Sequence, residues 1–579
     1  MKRPASAGAS RAAKAKAKAA ALPPMPPGPD NVEDLFQWAS AVKTKLMADS
    51  SLSNNLEHRL KQGIVIDSDH SGSGNGEGGL LCALKNAGVE DAQVCIHSVC
   101  DKDASCQALL KLLVSDEGDG PDGRLGGDRN QRTRVFGDLV QQIPHEKLEM
   151  LYEMLPNADE PPEVKKKAYR EVANRIKGNM EEFLPKNRTQ YDMVSGQFAP
   201  VTRQGCASET VRVRISGTEC YQWSRMNKSR LQDGASNFFV FVVWVCVTLR
   251  NLSQIVIHEN VTAHDEDILS EFLSGAYALH AFEVSPEHLG WPVRRTRRYT
   301  VGVLRRGWFF TGDVTRFLQI FGMSPTLLGS APEGDVACWL QEAAAKKHKV
   351  SADGHIDARA LLTPAQKRRL KNTEEKMRGL EVHSWVCDVQ QEVDWTKTND
   401  FVPVLLRGSL LWSNTKERLA LASEHLLFQG VPCFRKLDDK VAPCNWPQIM
   451  CVSKQMGFSE HCWKSMAGNA MHRAVAGLLG AYVIANLRRK VKPHPASGLS
   501  LGSFLVPEPK PPTDVRGGGE RGEEAQECAD INSPAAGAYR TPNKKKGAGP
   551  LGRGASCMSL GSLGSAASAS SMSPFLSPP

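Results

Sequence analysis

The strand, glycine-rich turn and helix predicted over residues 63–87 constrain the fold of this chain more than any other segment. The apolar triplet Ile64–Ile66 is followed by Ser71–Gly79, five of whose nine residues are glycine, and then by an apolar helical pattern from Leu80. Such a turn lets backbone N–H groups approach a ligand closely, because no Cβ intrudes. The segment therefore predicts a ligand-binding loop in an α/β fold, and a flexible loop without ligand is the alternative.

Strand and helix patterns alternate from this loop to about residue 305. A second strand, Val94–Val99, ends near Asp101, and a short strand reaches Gly137-Asp138. This alternation favours a mostly parallel sheet covered by helices, with the ends of its strands facing a ligand crevice. An acid after the second strand also suits a nicotinamide site, so the loop does not distinguish that ligand from S-adenosylmethionine. For Asp138, a helix N-cap is an equally good interpretation.

The composition limits the class of protein. The chain has 579 residues and a formal net charge of +9, which permits an anionic partner without requiring one. The longest apolar run, residues 238–249, is shorter than the ~20 residues that a membrane span needs, so we expect no membrane segment. The fifteen cysteines form no CxxC pair or regular His/Cys array. We therefore expect reduced, intracellular thiols and no metal site.

Shifts in composition predict the domains. Residues 1–30 are rich in Ala, Lys and Pro, and residues 489–579 are rich in Pro, Gly and Ser; neither segment can form a packed core, and we expect both to be disordered. The alternation of strands and helices is lost in the middle of the chain, which indicates a second, smaller domain. The predicted division is a main domain over 31–305 with inserted segments at 115–130 and 145–205, a smaller domain over 306–405, and the last part of the main domain over 406–488.

A cysteine and a glutamate form the candidate catalytic pair. Cys220 lies in a loop after one predicted strand, and Glu259 follows the apolar run Ile255–Ile257 of the next. Loops at the ends of neighbouring strands can bring a thiol and a carboxyl to one substrate ring, which is the pairing that chemistry at cytosine C5 requires. Only a small fraction of a free thiol is ionised at neutral pH, and the adjacent charge of Glu219 disfavours the thiolate further.

Two later motifs belong to the same pattern. Arg295 and Arg297 alternate at the start of a strand, so they share one face and suit carbonyl or phosphate oxygens. A solvated edge strand is the alternative. Gly468-Asn469-Ala470 precedes an apolar helix from Ala474 and could also be an ordinary turn with a helix cap.

Taken in order along the chain, these residues resemble the motifs of the cytosine-C5 DNA methyltransferase family over residues 60–488. Glu259-Asn260-Val261 and Gly468-Asn469-Ala470 are the most specific matches. The chain departs from the family pattern around the nucleophile, where Glu219 replaces the preceding Pro and Tyr221 the following Gln, and at Val293, which replaces the Gln of the arginine strand. His70 also stands where the cofactor loop usually has Phe, and Val99-Cys100-Asp101 replaces the aromatic and acidic pair after the second strand. These departures indicate a divergent member of the family, of protist type.

The resemblance implies a Rossmann-like, S-adenosylmethionine-dependent methyltransferase fold. This is a mixed, mostly parallel sheet with helices on both faces, joined by a smaller domain similar to the family's target-recognition domain. It also implies S-adenosyl-L-methionine as cofactor, attack of Cys220 on C6 of a flipped cytosine, and stabilisation of N3 by protonated Glu259. The implied catalytic residues are Cys220, Glu259, Asn260, Arg295 and Arg297, and the implied cofactor-binding residues are Ser71, Gly72, Ser73, Gly74, Asp101, Asp138 and Asn469.

The resemblance implies DNA as the partner and methylation of cytosine C5 as the reaction. RNA is an alternative substrate, because one branch of the family methylates transfer RNA, and a catalytically weak nucleic-acid-binding relative is a third hypothesis. We expect a monomer. The Lys/Arg-rich tails favour the nucleus, although the acid-poor N-terminus also suits an organelle transit peptide.

Overall fold

The computed structural model describes most of the chain between its two tails. The described residues are 25–29, 32–114, 133–157, 159–201, 209–220, 223–224, 238–325, 358–383, 385–393, 401–433 and 446–490. The predicted disordered tails and the predicted insertion at 115–130 therefore lie almost wholly outside the described residues.

The first part of the chain supplies the strands that carry the glycine-rich loop and Cys220. Its elements are α1 (Val32–Phe36), a π-helical turn (Val42–Leu46), α2 (Ser50–Gln62), β1 (Ile64–Asp69), α3 (Asn75–Lys85), β2 (Val94–Cys100), α4 (Ala104–Val114), β3 (Arg134–Phe136), a 3₁₀ turn (Leu139–Gln142), α5 (His145–Glu153), α6 (Pro162–Gly178), α7 (Met180–Phe183), β4 (Thr189–Asp192), β5 (Gln197–Pro200) and β6 (Val211–Ser216).

The second part completes the sheet and adds a smaller unit. Its elements are α8 (Phe238–Asn251), β7 (Ile255–Asn260), α9 (Glu266–Leu273), β8 (Tyr277–Val284), a 3₁₀ turn (Pro286–His288), β9 (Arg297–Leu304), β10 (Trp308–Phe310), α10 (Val314–Phe321), a 3₁₀ turn (Ala358–Leu361), α11 (Pro364–Gly379), β11 (Val386–Asp388), β12 (Leu411–Ser413), β13 (Arg418–Leu419), α12 (Ala422–Leu427), α13 (Trp446–Gln455), α14 (Glu460–Asn469), α15 (Arg473–Ala485) and β14 (Leu487–Arg489).

The central sheet has seven strands in the order β3-β2-β1-β6-β7-β9-β8. Neighbouring strands are parallel, except that β9 runs antiparallel to both β7 and β8. The order reverses between β1 and β6, which is where an α/β sheet opens its ligand crevice. This mixed, mostly parallel sheet with its helices confirms the predicted Rossmann-like methyltransferase fold.

Helices cover both faces of the sheet, as β6 illustrates. Ile215 lies against α3, since a Cβ on Gly76 would come within 3.2 Å of its Cγ2. Arg214 points to the opposite face, where its charge lowers the pKa of Arg250 at the end of α8, an effect that adds to that of burial. The apolar run 238–249 thus forms a buried helix. None of the described helices is both long enough and apolar enough to cross a membrane.

Charged side chains on β1, β2 and β6 are buried as pairs. Asp67 is 2.8 Å from His97 Nδ1 and 3.0 Å from Arg212 Nη2, and Asp69 pairs with Arg214. Burial alone would raise the pKa of Asp67, but the hydrogen bond from His97 and the charges of the two arginines outweigh it and lower that pKa. The pairing makes burial of these charges tolerable and fixes the register of the strands below the crevice.

Glycines let α3 and α15 cross in close contact. A Cβ on Gly79 would lie 2.4 Å from the backbone oxygen of Arg473, and a Cβ on Gly477 would lie 2.6 Å from the backbone oxygen of Gly79. At the other end of α15, Asn55 of α2 donates to the carbonyls of Ala485 and Leu487, each at 2.9 Å. The last helix of the main domain therefore packs directly on the helix that follows the glycine-rich loop.

A smaller unit follows the main sheet and has its own core. Strands β11, β12 and β13 form an antiparallel sheet beside α11. Its buried residues are Ala358, Leu362, Leu370, Met377, Trp385, Cys387, Val389 and Trp412. By contrast, β10 pairs with β14, and Phe317 of α10 packs on Tyr482 of α15 with ring centroids 5.5 Å apart. The predicted boundaries at 306 and 405 stay a prediction; the second core draws its described residues from 358–412.

Candidate active site

The glycine-rich loop turns sharply between β1 and α3. His70, Gly72 and Gly74 have positive φ angles of 56°, 57° and 75°, and Gly74 is the N-cap of α3. Glycine suits this conformation because side chains with a Cβ rarely adopt it. A Cβ on Gly72 would meet nothing within 4 Å, so open space lies in front of the loop. Among the predicted residues from Ser71 to Gly74, Gly72 therefore borders a space that can receive a ligand, whereas Gly74 lies against Leu113 of α4.

Asp101 and Asp138 lie at the same edge of the sheet, after β2 and β3. Asp101 accepts hydrogen bonds from the backbone N–H groups of Gly72, at 2.8 Å, and of Asp103, at 2.9 Å. Asp138 caps the following 3₁₀ turn, with Oδ1 accepting from the N–H of Val140 at 3.0 Å. Asp101 thus orients the glycine-rich loop, and the helix-cap interpretation of Asp138 accounts for one of its two oxygens.

Hydrogen bonds from β7 hold the loop that carries Cys220. Asn260 Nδ2 donates to the carbonyl oxygen of Thr218 at 3.4 Å and to its Oγ1 at 3.3 Å. His258 Nε2 lies 2.7 Å from the same Oγ1. Beyond Cys220 the chain turns, because the N–H groups of Trp223 and Ser224 both donate to the Cys220 carbonyl. Asn260 is therefore placed to position the nucleophile.

Cys220, Glu259 and Arg297 share one locality. Glu259 is buried, and its Oε1 is 3.2 Å from Arg297 Nε. Gly217, three residues before Cys220, lies against the carboxyl, since a Cβ there would come within 3.5 Å of Glu259 Oε2. Cys220 keeps contact with solvent, yet the surrounding protein removes enough water to raise the pKa of its thiol. The positive charge of Arg297 opposes this rise, and the charge of Glu259 adds to it.

Arg295 makes different contacts from Arg297. It precedes β9 and is buried, with Nη1 donating to the carbonyl of Leu405 at 2.7 Å and Nη2 to that of Ala470 at 2.8 Å. Burial lowers the pKa of Arg295 to about 10. The two arginines therefore do not bind one common partner, as their alternation suggested. Arg297 contacts Glu259, and Arg295 donates to backbone carbonyls of distant segments.

The Gly468-Asn469-Ala470 segment leads back to the glycine-rich loop. Asn469 is exposed at the end of α14. The following Met471 accepts a hydrogen bond at its carbonyl from Asn75 Nδ2, at 3.1 Å. A Cβ on Gly76 would lie 2.9 Å from Met471 Sδ. Met471, which the sequence did not single out, therefore makes the closest contact with the start of α3, while the Asn469 side chain faces solvent.

The structure adds a pairing that the sequence did not predict. Lys102, directly after Asp101, forms an ion pair with Glu219, the residue before Cys220. These residues are 117 positions apart, and no local pattern connects them. The pair offsets the charge of Glu219 that the sequence placed beside the nucleophile. Tyr221, the departure on the other side of Cys220, lies outside the described residues.

Comparisons with known proteins give weak likenesses. No model of a known protein family matches the chain, and no curated protein matches it. It is similar to the S. pombe Dnmt2 methyltransferase structure, with 12% identity and a TM-score of 0.35 over 72% of this chain and 96% of that one. It is also similar to the Entamoeba histolytica methyltransferase EhMeth, with 10% identity and a TM-score of 0.35 over 73% of this chain and 98% of that one. A Spodoptera frugiperda DNMT2 mutant is 14% identical, with a TM-score of 0.31 over 72% of this chain and 99% of that one. Likenesses of this size carry no argument about function, and the fold rests on the strand order described above.

Proposed function

We propose that this chain is an S-adenosylmethionine-dependent methyltransferase that methylates C5 of cytosine in DNA. The observation that carries the proposal is the shared locality of the Cys220 thiol, the Glu259 carboxyl and the Arg297 guanidinium at the carboxyl ends of β6 and β7. A nucleophile and a proton donor meeting over one ring is the arrangement that this reaction requires.

The glycine-rich loop suits the cofactor. Open space lies in front of Gly72, and the buried Ser73 Oγ has no hydrogen-bond partner among the described residues. Ser71 to Gly74 would hold the cofactor, and Asp138 would contact it through the oxygen that does not cap the 3₁₀ turn. Asp101 would act through the loop that it orients, and we retain Asn469 only as a rim residue because its side chain is exposed. When bound, S-adenosylmethionine supplies an electrophilic methyl group.

The chain's own residues would then perform the substrate chemistry. Cys220, as thiolate, forms a bond to C6 of an extruded cytosine, and Glu259 in its protonated form donates to N3 as negative charge develops there. The electron pair released to C5 takes up the methyl group. Loss of the C5 proton to water then breaks the bond between sulfur and C6 and releases the thiolate, and return of the N3 proton to Glu259 restores the neutral ring. Arg297 holds the Glu259 carboxyl in place, and Asn260 holds Thr218.

Basic residues on α11 support a nucleic-acid substrate. Leu370 and Met377 face the small core, whereas Lys367, Arg368 and Lys371 are exposed on the outer side of the helix. A helix with one buried face and cations on the other suits phosphate contacts. A second basic run, Lys346–Lys349, lies outside the described residues.

The proposal is tested by transfer of labelled methyl groups to DNA and RNA assayed in parallel. Cys220→Ala should abolish incorporation and also the covalent trapping of a 5-fluorocytosine duplex. Cys451→Ala, at an exposed cysteine on α13, is the matched control and should leave both unchanged. Incorporation by Cys220→Ala at the wild-type rate would contradict the mechanism. Labelling of RNA alone would show that RNA, and not DNA, is the substrate, and it would support the same reaction at cytosine C5.

A nucleic-acid-binding relative with weak catalysis is the second candidate. The observation that favours it is the raised pKa of the Cys220 thiol, since a thiol protonated at neutral pH is a poor nucleophile. Binding of cofactor and duplex without trapping at pH 7.5 or at pH 9 would support this candidate. Trapping that increases from pH 7.5 to pH 9 would support the methyltransferase.

A further inference from the structure

Three buried oxygen atoms at the start of α3 have no hydrogen-bond partner among the described residues. They are Ser73 Oγ, Asn75 Oδ1 and Glu77 Oε1, and none of the three residues is more than 1% exposed. An unpaired buried oxygen is costly and uncommon, so three within five residues call for a partner. Their position in the glycine-rich loop indicates that the partner is a ligand.

The orientation of two of these side chains is fixed by the protein. Glu77 Oε2 accepts from Ser68 Oγ at 3.0 Å, which leaves Oε1 on the side of the turn, 3.8 Å from the position of a Cβ on Gly74. The amide of Asn75 donates from Nδ2 to the carbonyl of Met471, so its free atom is the acceptor Oδ1. The loop therefore offers acceptors, which suit a ligand group that donates protons or carries positive charge.

Little positive charge compensates Glu77 within the protein. Arg473 of α15 is the charged group that acts on the Glu77 carboxyl, whereas Asp69 of β1 and Arg214 of β6 lie towards the opposite face of the sheet. Asp69 and Arg214 pair with each other, and burial raises the pKa of the Cys100 thiol, which therefore stays neutral. Leu110 and Leu113 of α4 line the turn at Gly74. Burial raises the pKa of Glu77 to about 7, although hydrogen bonds from its own backbone N–H, Ser68 and Ser71 and the charge of Arg473 each oppose the rise.

We propose that Glu77, assisted by Ser73 and Asn75, is the counter-charge for a cationic group of the ligand held by the glycine-rich loop, and that binding displaces the proton of Glu77 into solution. The inference rests on the proposed function, whose cofactor carries a sulfonium and an ammonium group. It also separates the two ligands that the loop pattern alone left open. The pyrophosphate of a nicotinamide dinucleotide would meet acceptors where it needs donors.

Proton release on binding tests the proposal. Calorimetric titrations at pH 7 in phosphate and in Tris, which differ in ionisation enthalpy, measure the protons released when S-adenosylmethionine or S-adenosylhomocysteine binds. We expect wild type to release about half a proton more than Glu77→Gln, because a group with a pKa near 7 is half protonated there. From pH 6 to pH 8 the affinity of wild type should rise about tenfold relative to that of Glu77→Gln, since the cation selects the ionised carboxyl. Glu90→Gln, at an exposed carboxyl beyond α3, should behave as wild type.

The possible outcomes distinguish the proposed role of Glu77 from the proposed cofactor. Excess release with S-adenosylmethionine alone identifies the sulfonium as the partner, and excess release with both molecules identifies the ammonium; both results support the proposal. Binding with equal proton release by wild type and Glu77→Gln overturns it and leaves the proposed function intact. Binding of neither molecule to wild type overturns the proposed cofactor as well. If Glu77→Gln does not fold, the proton release of wild type alone decides it. Release that falls between pH 6 and pH 8 supports the proposal, and release that stays constant over that range overturns it.

Discussion

At the scale of single residues, the sequence indicated the candidate catalytic pair more clearly than the residues that surround it. Cys220 and Glu259 were proposed as a pair because one lies after a predicted strand and the other follows the apolar run of the next, in a chain of alternating elements. Their partners could not be predicted, because they depend on which loops meet across the crevice. Arg295 and Arg297 share a sequence pattern, yet one donates to backbone carbonyls and the other lies at Glu259. That residue roles diverge within one motif is a consequence of tertiary packing.

The Lys102–Glu219 pair gives a prediction about positioning. We expect Glu219→Gln and Lys102→Gln each to slow trapping of 5-fluorocytosine DNA about tenfold, equivalent to about 1.4 kcal/mol of barrier, because each frees the nucleophile loop from the loop after β2. The charge swap Lys102→Glu with Glu219→Lys should recover most of the rate. Thermal stability should change little, since both side chains are partly exposed.

The two neutral variants also separate positioning from simple electrostatics. If Glu219 acted only by its charge on the thiol, Glu219→Gln would favour the thiolate and speed trapping, whereas Lys102→Gln would slow it. Opposite effects of the two variants, together with opposite shifts of the pH profile, would therefore count against a positioning role.

At the scale of secondary structure, apolar runs and glycine placement predicted most of the central elements. Ile64–Ile66, Val94–Val99 and Ile255–Ile257 are strands of the main sheet, and the run after Gly79 is part of α3. The pattern did not reveal that β9 runs antiparallel, because strand direction leaves no mark on side-chain alternation. Residues 161–185 have the pattern of one charged amphipathic helix, but the helix is interrupted at Asn179, between α6 and α7.

The crossing of α3 and α15 gives a prediction at this scale. Gly79→Ala should destabilise the protein by about 2 kcal/mol or more, because the added Cβ would lie 2.4 Å from a backbone oxygen that cannot rotate away. Gly178→Ala lies at the end of α6, where nothing is within 4 Å of the new Cβ. It should not lower the free energy of unfolding and is expected to raise it by up to about 1 kcal/mol. Urea denaturation measures both, and equal stability of the two variants would mean that the helices separate without cost.

At the scale of the whole molecule, two hydrophobic cores predict two separable effects. Leu370→Ala should destabilise the smaller unit by about 2–5 kcal/mol, because Leu370 is 2% exposed within its core. We expect weaker binding of a DNA duplex and unchanged affinity for S-adenosylmethionine, since the glycine-rich loop belongs to the other core. Leu361→Ala, at an exposed leucine of the same unit, is the control. Equal loss of both affinities in Leu370→Ala would show that the two cores are coupled.

The helix α15, which packs on α3 behind the glycine-rich loop, is synthesised late. Residues 473–485 cover an apolar surface of α3, and Arg473 contacts Gly78, which lies 395 positions earlier in the chain. While the polypeptide emerges from the ribosome, that surface has no native cover, and a truncated product would keep it uncovered. We therefore expect this surface to need protection by chaperones during translation. A stop codon introduced before residue 473 should yield insoluble protein even though every strand of the main sheet is present.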